Sequence, residues 1–153
     1  MRLLVLSDSH GFTGRLGTIL MKAEAEGPLD AILHLGDGYH DLSEFAGELP
    51  PVYQVAGNCD LFHQDTLGVY DFSGARIVIT HGHLQHVKSG TDQLLSLALQ
   101  QGAAAVLYGH THLQKMEWKG GILLLNPGAA SSGRYAILTI NRLGAIQAKL
   151  YGE

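Results

Sequence analysis

The stretch that decides the fold is residues 3–11, Leu-Leu-Val-Leu-Ser-Asp-Ser-His-Gly. Its first four residues form an uninterrupted apolar run, which is typical of a strand buried on both faces of a sheet. The run stops at Asp8 and His10, and residues 14–26 then have the spacing of an amphipathic helix. The pattern predicts a buried strand, a polar loop and a helix, which is the repeating unit of an α/β fold.

The same order of events recurs along the chain. A second apolar run at residues 31–35 stops at Gly36-Asp37-Gly38, and a weaker helix is predicted from there through about residue 46. A third helix is predicted at residues 89–101 and a hairpin at residues 68–80, turning at Ser73-Gly74. The remaining predicted strands are residues 52–55, 104–108, 115–118, 122–125, 135–140 and 146–150. Helices should therefore flank two sheets in a single domain spanning residues 1–153.

The composition of the chain argues against several classes of binding partner. The chain has 153 residues, of which 46% are hydrophobic, and a formal charge of −4 from 10 basic and 14 acidic residues. No run of Lys or Arg suggests duplex nucleic acid or a membrane as a partner. The single cysteine, Cys59, excludes an intrachain disulfide framework. The apolar run at residues 3–6 is shorter than the roughly 7–15 residues of a signal-peptide core, so we expect a cytoplasmic location.

Five predicted strands end at polar clusters, and ligands of layered α/β folds bind beyond such strand ends. Together the clusters supply two carboxylates, one amide and four imidazoles. They are Asp8 with His10, then Asp37, Asn58, His81, and His110 with His112. Residues two apart in an extended segment point to the same face, so each of the two paired motifs should aim both side chains at one locus.

This mixture of oxygen and nitrogen ligands suits Mn²⁺, Fe²⁺, Zn²⁺, Co²⁺ or Ni²⁺ better than Mg²⁺ or Ca²⁺. Seven ligands are too many for one tetrahedral ion. Two ions about 3.5–4 Å apart, sharing one carboxylate, would use all seven and suit in-line displacement at phosphorus. The sequence therefore predicts phosphoester hydrolysis.

Each of these residues also has an ordinary structural interpretation. A lone Asp or Asn at a strand end is typical of a turn or a helix cap, and a lone His is typical of a hydrogen-bonded sheet edge. Their joint occurrence at five strand ends favours a metal site. By contrast, His34 lies inside an apolar strand and is predicted to be a core or supporting histidine. The segment 126–128, Asn-Pro-Gly, is predicted to be a turn that supports the site.

The order and spacing of the motifs resemble those of the calcineurin-like metallophosphoesterase superfamily, over nearly the whole chain. The matching blocks are Asp8-x-His10, Gly36-Asp37, Gly57-Asn58-x-Asp60, His81 and Gly109-His110-x-His112. The resemblance implies a four-layer αββα sandwich of two mixed sheets flanked by helices, with a dinuclear metal centre at the sheet edge. Both ions are expected to be Mn²⁺, and the resemblance places Asp8, His10 and His112 on one of them. The other ion would take Asn58, His81 and His110, with Asp37 bridging.

Cys59 departs from the pattern of many superfamily members, which have a histidine after the motif asparagine. This departure resembles the small phosphodiesterase branch and implies hydrolysis of small phosphodiesters by metal-activated water. A protonated thiol is a poor general acid at neutral pH, so phosphomonoesters should be poor substrates. In this interpretation Asp60 orients a ligand, and Cys59 and His83 contact substrate. The predicted catalytic residues are Asp37, Asn58, Cys59, Asp60 and His81.

Three alternatives share the fold. A non-catalytic scaffold would be expected to have lost metal ligands, a nuclease would need a basic groove, and a phosphomonoesterase is disfavoured by Cys59. Short oligonucleotides and cyclic nucleotides remain candidate diesters. A homodimer is a further expectation, because Leu61-Phe62 and the C-terminal strands offer apolar residues for an interface, although these residues also suit the core.

Overall fold

The computed structural model describes residues 1–45, 47 and 49–152. It contains two α-helices, α1 (Thr13–Ala25) and α2 (Asp92–Gln101). The strands of the first sheet are β1 (Arg2–Leu6), β2 (Ala31–His34), β3 (Val52–Gln54), β9 (Tyr135–Ile140) and β10 (Ile146–Tyr151). The strands of the second sheet are β4 (Leu67–Phe72), β5 (Ala75–Thr80), β6 (Ala105–Leu107), β7 (Lys115–Lys119) and β8 (Ile122–Asn126). Every predicted strand is confirmed, with ends that shift by at most one residue.

Two helix predictions need correction. The weak helix expected to reach residue 46 is a short 3₁₀ segment, Asp41–Phe45, and residue 46 itself lies outside the described residues. The helix expected from residue 89 begins at Asp92, after a separate 3₁₀ turn at Val87–Ser89. Gly90 separates the two because its φ of +140° is incompatible with a continuous helix.

Both sheets are mixed. The first has the strand order β10-β9-β1-β2-β3, with β1, β2 and β3 parallel and β9 and β10 antiparallel to their neighbours. The second has the order β4-β5-β6-β8-β7, with β5, β6 and β8 parallel and β4 and β7 antiparallel at its edges. The carboxyl ends of three parallel strands therefore share one edge in each sheet.

Three apolar clusters separate four layers, which confirms the predicted αββα sandwich. In β1, Leu3 belongs to the cluster between the two sheets, together with Ile77 of β5. Its neighbour Leu4 points to the opposite face and belongs to the cluster that contains Leu16 of α1. On the outer face of the second sheet, α2 supplies a third cluster. This alternation along a fully buried strand explains the continuous apolar run that opens the sequence.

The helices and the hairpin follow from local sequence. The buried residues of α1 recur at intervals of three and four, so one face covers the sheet; they are Leu16, Ile19, Leu20 and Ala23. Gly102 ends α2 in the left-handed conformation, with its N–H bonded to the carbonyls of Ala98 and Leu99. The β4–β5 hairpin turns through Ser73 and Gly74, which both have positive φ. Among the described residues, the helices are too short or too polar to cross a membrane.

Candidate metal centre

The predicted ligands lie on loops that leave the carboxyl ends of parallel strands in both sheets. Backbone hydrogen bonds join these loops within each sheet. The N–H of His10 donates to the carbonyl of Asp37 at 2.9 Å, and the N–H of Gly109 donates to the carbonyl of His81 at 2.9 Å. Across the gap between the sheets, the N–H of His110 donates to Asp8 Oδ2 at 3.1 Å. The two sheet edges therefore meet at one site.

Asp8, His10 and His112 form the first group of potential ligands. The Nε2 atom of His112 lies 3.3 Å from Asp8 Oδ1, and that of His10 lies 3.7 Å from the same oxygen. The two Nε2 atoms are 3.3 Å apart. Three ligand atoms thus face a common point, and they are the three residues predicted to hold one ion.

Asp8, Asp37 and His81 form a second, buried group. His81 Nε2 lies 3.3 Å from Asp37 Oδ2 and 3.8 Å from Asp8 Oδ1. Asp37 Oδ2 also lies 3.8 Å from His10 Nε2, so this carboxylate stands between the two groups. That position is the one expected of a bridging ligand.

Two atoms at the base of the site are buried without a hydrogen-bond partner among the described residues: Asp8 Oδ1 and His81 Nε2. A buried polar atom left unpaired costs roughly 1–3 kcal/mol. The remaining atoms of both side chains are satisfied. Asp8 Oδ2 accepts from Ser7 Oγ at 2.6 Å, and His81 Nδ1 donates to the carbonyl of Leu35 at 2.8 Å. The donor set, with its two orphaned atoms, fits divalent metal ions.

The electrostatics of this base favour an ionised Asp37. Burial alone would raise its pKa, but the His81 imidazole 3.3 Å away, with the N–H of Cys59, holds the pKa well below its usual range. Burial opposes protonation of His81, yet the Asp37 and Asp8 carboxylates raise the pKa of that imidazole overall. The centre therefore holds two closely spaced carboxylates, Asp8 and Asp37, beside imidazole nitrogens, an arrangement that favours binding of divalent ions.

His110 and His83 lie next to this base rather than within it. The His110 ring centroid is 5.0 Å from that of His81, and the His83 centroid is 5.4 Å from His81 and 6.1 Å from His110. Asn58 and Cys59 are exposed, with the Asn58 amide 3.6 Å from Cys59 Sγ. Asn58 is attached to the centre through its neighbour, because the Cys59 N–H donates to Asp37 Oδ1 at 2.8 Å.

The expectation that the paired motifs are extended is wrong. Five of the predicted ligands have left-handed backbones, with φ of +55° at Asp8, +46° at His10, +59° at Asp37, +74° at His110 and +65° at His112. Such conformations cost a non-glycine residue on the order of 1–3 kcal/mol and cluster at functional sites. The chain turns sharply at the strand ends, and this turn, rather than the pleat of a strand, brings the side chains together.

Asp60 supports the site from behind. Its carboxylate accepts four backbone N–H groups, those of Asp37, Gly38, Tyr39 and Gly57, at 2.7–3.1 Å. Although partial burial alone would raise its pKa, these hydrogen bonds lower it. Both oxygens are therefore engaged in joining the loops after β2 and β3. This geometry supports the predicted role of orienting Asp37.

A second set of residues supports the loop after β1: His34, Ser9 and Asp41, of which only His34 was predicted. His34 is fully buried and accepts the Gly36 N–H on Nδ1, so its Nε2 donates to Ser9 Oγ at 2.9 Å. Ser9 in turn donates to Asp41 Oδ2 at 2.6 Å. Burial lowers the pKa of His34 to about 4, so it is neutral, as expected of a supporting histidine. Asp41 was missed because an Asp at the start of a 3₁₀ turn gives no signal of a distant contact.

The loop after β6 depends on Asn126 for hydrogen bonds and on Gly109 for space beside Asp8. Asn126 Nδ2 donates to the carbonyl of Gly109 and to Thr111 Oγ1, and its Oδ1 accepts the Gly128 N–H. This confirms the supporting position predicted for segment 126–128. A Cβ on Gly109 would lie 2.7 Å from Asp8 Oδ2, so only glycine admits the carboxylate there.

Comparison with known proteins identifies the same family as the motifs. Residues 1–142 match the sequence model of the calcineurin-like phosphoesterase superfamily domain. The probable metallophosphoesterase YsnB of Bacillus subtilis is 35% identical over 147 residues, covering 92% of this chain and 85% of YsnB. Phosphodiesterase YfcE of Escherichia coli is 32% identical over 160 residues, covering 86% and 80%. Wild-type Vps29 of Entamoeba histolytica, solved with Zn²⁺, shares the fold alone, with a TM-score of 0.73, 21% identity and coverage of 99% and 98%.

Proposed function

Because the chain belongs to the calcineurin-like phosphoesterase superfamily, we propose that it is a dinuclear-metal phosphodiesterase that hydrolyses small phosphodiesters. The observation that carries the proposal is the buried, unpartnered pair Asp8 Oδ1 and His81 Nε2 at the meeting point of the two sheet edges. A fold that keeps such atoms without a hydrogen bond gains from a bound cation.

The predicted assignment gives one ion to Asp8, His10 and His112. It gives the other to His81, His110 and Asn58, with Asp37 between the two. When bound, two divalent ions such as Mn²⁺ supply Lewis-acid stabilisation of the phosphoryl oxygens and lower the pKa of the attacking water.

The residues of the chain determine where the substrate approaches. The Asp8 and His81 side chains are fully buried, whereas those of His10 and His112 are 29% and 47% exposed. The carboxylates therefore form the floor of the site, and the imidazoles of His10 and His112 stand at its open side. A phosphodiester monoanion would enter from that side, with exposed Asn58 and Cys59 beside it.

Cys59 accounts for the choice of diesters over monoesters. Partial burial and then the nearby Asp37 carboxylate raise the pKa of its thiol, so the thiol is protonated and gives little acid assistance to a departing alkoxide. His83 is the remaining imidazole near the site without a predicted metal role, and its Nδ1 is buried without a hydrogen-bond partner among the described residues. We assign His83 the role of contacting an oxygen atom of the substrate.

A non-catalytic scaffold is the alternative from another functional class, and the fold shared with Vps29 motivates it. Binding of a partner alone would not require the strained left-handed backbones that aim five ligands at one locus. The conjunction of strain and unpaired buried atoms favours catalysis.

The test is hydrolysis of bis(p-nitrophenyl) phosphate and p-nitrophenyl phosphate by metal-stripped protein, before and after addition of Mn²⁺, Ni²⁺ or Zn²⁺. We expect metal-restored cleavage of the diester that is lost in Asp37→Ala. The matched control is Asp71→Ala, which removes a surface carboxylate paired with Arg76. If added metal gives no rate above that of Asp37→Ala, the catalytic proposal fails and the scaffold becomes the leading interpretation.

A further inference from the structure

Each loop that carries metal ligands, except the one after β2, continues into a large apolar side chain that is exposed. Phe12 follows His10, Leu84 follows His83, and Leu113 follows His112. Leu61 and Phe62 follow the segment Asn58-Cys59-Asp60 in the same way. We name these five residues the apolar rim. Their exposed fractions are 56% for Phe12, 70% for Leu61, 100% for Phe62, 56% for Leu84 and 66% for Leu113.

Exposure of this kind is unfavourable unless something covers it. Burying a side chain of this kind is favourable, and Phe62 also has a φ of +72°, a genuine outlier for a bulky residue. Single exposed apolar residues are ordinary on a protein surface, but several placed around one site indicate a binding surface. The prediction that Leu61 and Phe62 belong to the core is therefore excluded.

The charge of the rim loops indicates what they bind. Segments 8–14, 57–66, 81–87 and 109–114 contain neither lysine nor arginine. Of the two acidic residues in segment 57–66, Asp60 is engaged by backbone N–H groups. Three of these segments are followed directly by a single basic residue, Arg15, Lys88 or Lys115, so a long polyanion would find only isolated ion-pair partners at the rim. A small anion would instead have its phosphate at the metal centre and its ester groups against apolar side chains.

A cavity beside the centre has room for one ester group. It has a volume of about 560 Å³, and its walls include Val87, Tyr108, Thr111 and Leu113. Thr111 stands between His110 and His112 in the sequence, so the cavity adjoins the loop that carries these two predicted ligands. Lys88 and Lys115 also line it, which is compatible with a nearby phosphate. Ser89, Gly90 and Thr91 complete the lining, and the volume falls within the range of small-molecule sites.

We propose that the apolar rim binds the ester groups of the substrate, so that the preferred class is a phosphodiester monoanion carrying aromatic or otherwise apolar groups. This inference rests on the proposed phosphodiesterase function and specifies its substrate. The flat faces of Phe12 and Phe62 suit an aromatic group, and Leu113 provides an apolar edge to the adjoining cavity.

The test compares two diesters with the same leaving group, methyl p-nitrophenyl phosphate and phenyl p-nitrophenyl phosphate, in metal-loaded protein. We expect wild-type kcat/KM to be about tenfold higher for the phenyl ester, the scale of selectivity that an apolar contact provides. Phe62→Ser and Leu113→Ser should each reduce that ratio by about threefold or more. Comparing ratios between variants cancels the intrinsic reactivity of the two esters.

Leu143→Ser is the matched control. Leu143 is 93% exposed in the turn between β9 and β10, beyond the end of β9 that pairs with the amino end of β1, and so at the opposite edge of the sheet. Equal ratios in all four proteins would overturn the inference while leaving the phosphodiesterase proposal standing. Absence of metal-dependent cleavage of either ester would overturn both.

Light scattering on the same proteins tests whether a second copy of the chain, rather than the substrate, covers the apolar rim. If the wild type is a dimer, Phe62→Ser a monomer, and the ester ratio unchanged, the rim is an interface between copies of the chain. That outcome would also overturn the substrate inference.

Discussion

Asp8 Oδ1 and His81 Nε2 lie 3.8 Å apart at the base of the site, both fully buried and both without a hydrogen-bond partner among the described residues. The distance is too long for a hydrogen bond, and it leaves each atom free to bind one of the two proposed ions, for which metal–ligand bonds are about 2.0–2.2 Å. Their remaining polar atoms are held by Ser7, His110 and Leu35. The pair is therefore pre-organised in an arrangement that is unfavourable until a cation is bound.

Replacing Asp8 by Asn should separate function from stability. The amide preserves the shape of the side chain and the acceptor for Ser7 and His110 while removing the buried charge. We expect metal-free Asp8→Asn to be as stable as the wild type or more stable by about 1 kcal/mol in urea unfolding. Metal-dependent diester hydrolysis should fall about 100-fold or more. A large loss of stability in the metal-free variant would mean that Asp8 is primarily a structural residue.

Asp60→Asn, unlike Asp8→Asn, should make the folded protein less stable. The amide can accept on one side only, so some of the four N–H groups now bound by Asp60 would lose their acceptor. We expect a loss of about 2 kcal/mol at pH 7. Because the folded-state pKa of Asp60 is lowered, its contribution is present above the pKa of the unfolded chain and is lost as the pH falls through the folded value. The difference from wild type should therefore shrink in acid, and a constant difference would refute this role.

His34 should give the metal-free protein a measurable pH dependence. Its pKa falls from 6.5 in a model peptide to about 4 in the fold, so the unfolded chain binds a proton that the folded chain rejects between these values. Its contribution to stability should therefore rise by about 3 kcal/mol from pH 4 to 6.5. Urea unfolding in EDTA should show a weaker pH dependence in His34→Gln. His86→Gln changes an exposed histidine and should behave like the wild type.

Cys59→His should shift the enzyme toward monoesters. An imidazole beside Asn58 would provide the acid assistance that the protonated thiol lacks. We expect the rate of p-nitrophenyl phosphate cleavage relative to that of the bis ester to rise about tenfold or more. Cys59→Ser, which removes the thiol without adding an imidazole, should leave the ratio near that of the wild type. An equal rise of this ratio in both variants would show that the thiol disfavours monoesters through its size and not through its poor acidity.

Much of this molecule could be predicted from its sequence because the strands of both sheets are short, apolar and followed at once by polar loops. The run at residues 3–6 indicated a buried strand, and the polar residues after each parallel strand indicated where the loops would meet. The left-handed backbones of Asp8 and His110 could not be predicted, since non-glycine residues rarely adopt them without support from neighbouring loops.

Long-range supports were the least predictable part of the site. The hydrogen bond from Ser9 to Asp41 joins residues 32 positions apart, and the spacing of either residue gives no sign of it. The exposure of Phe62 could not be predicted either, because an apolar residue in a loop is as typical of the core as of a surface. Both features depend on how loops from different strands pack together.

If the chain holds two catalytic divalent ions, one titration should reveal both the ions and the activity that depends on them. Metal-stripped protein is titrated with Mn²⁺, and bound ions per chain and bis(p-nitrophenyl) phosphate hydrolysis are measured on the same samples. We predict two bound ions per chain, with the hydrolysis rate rising as the second is bound, and loss of both signals in Asp37→Ala. Full activity without added metal, or binding that is unaffected in Asp37→Ala, would contradict the account.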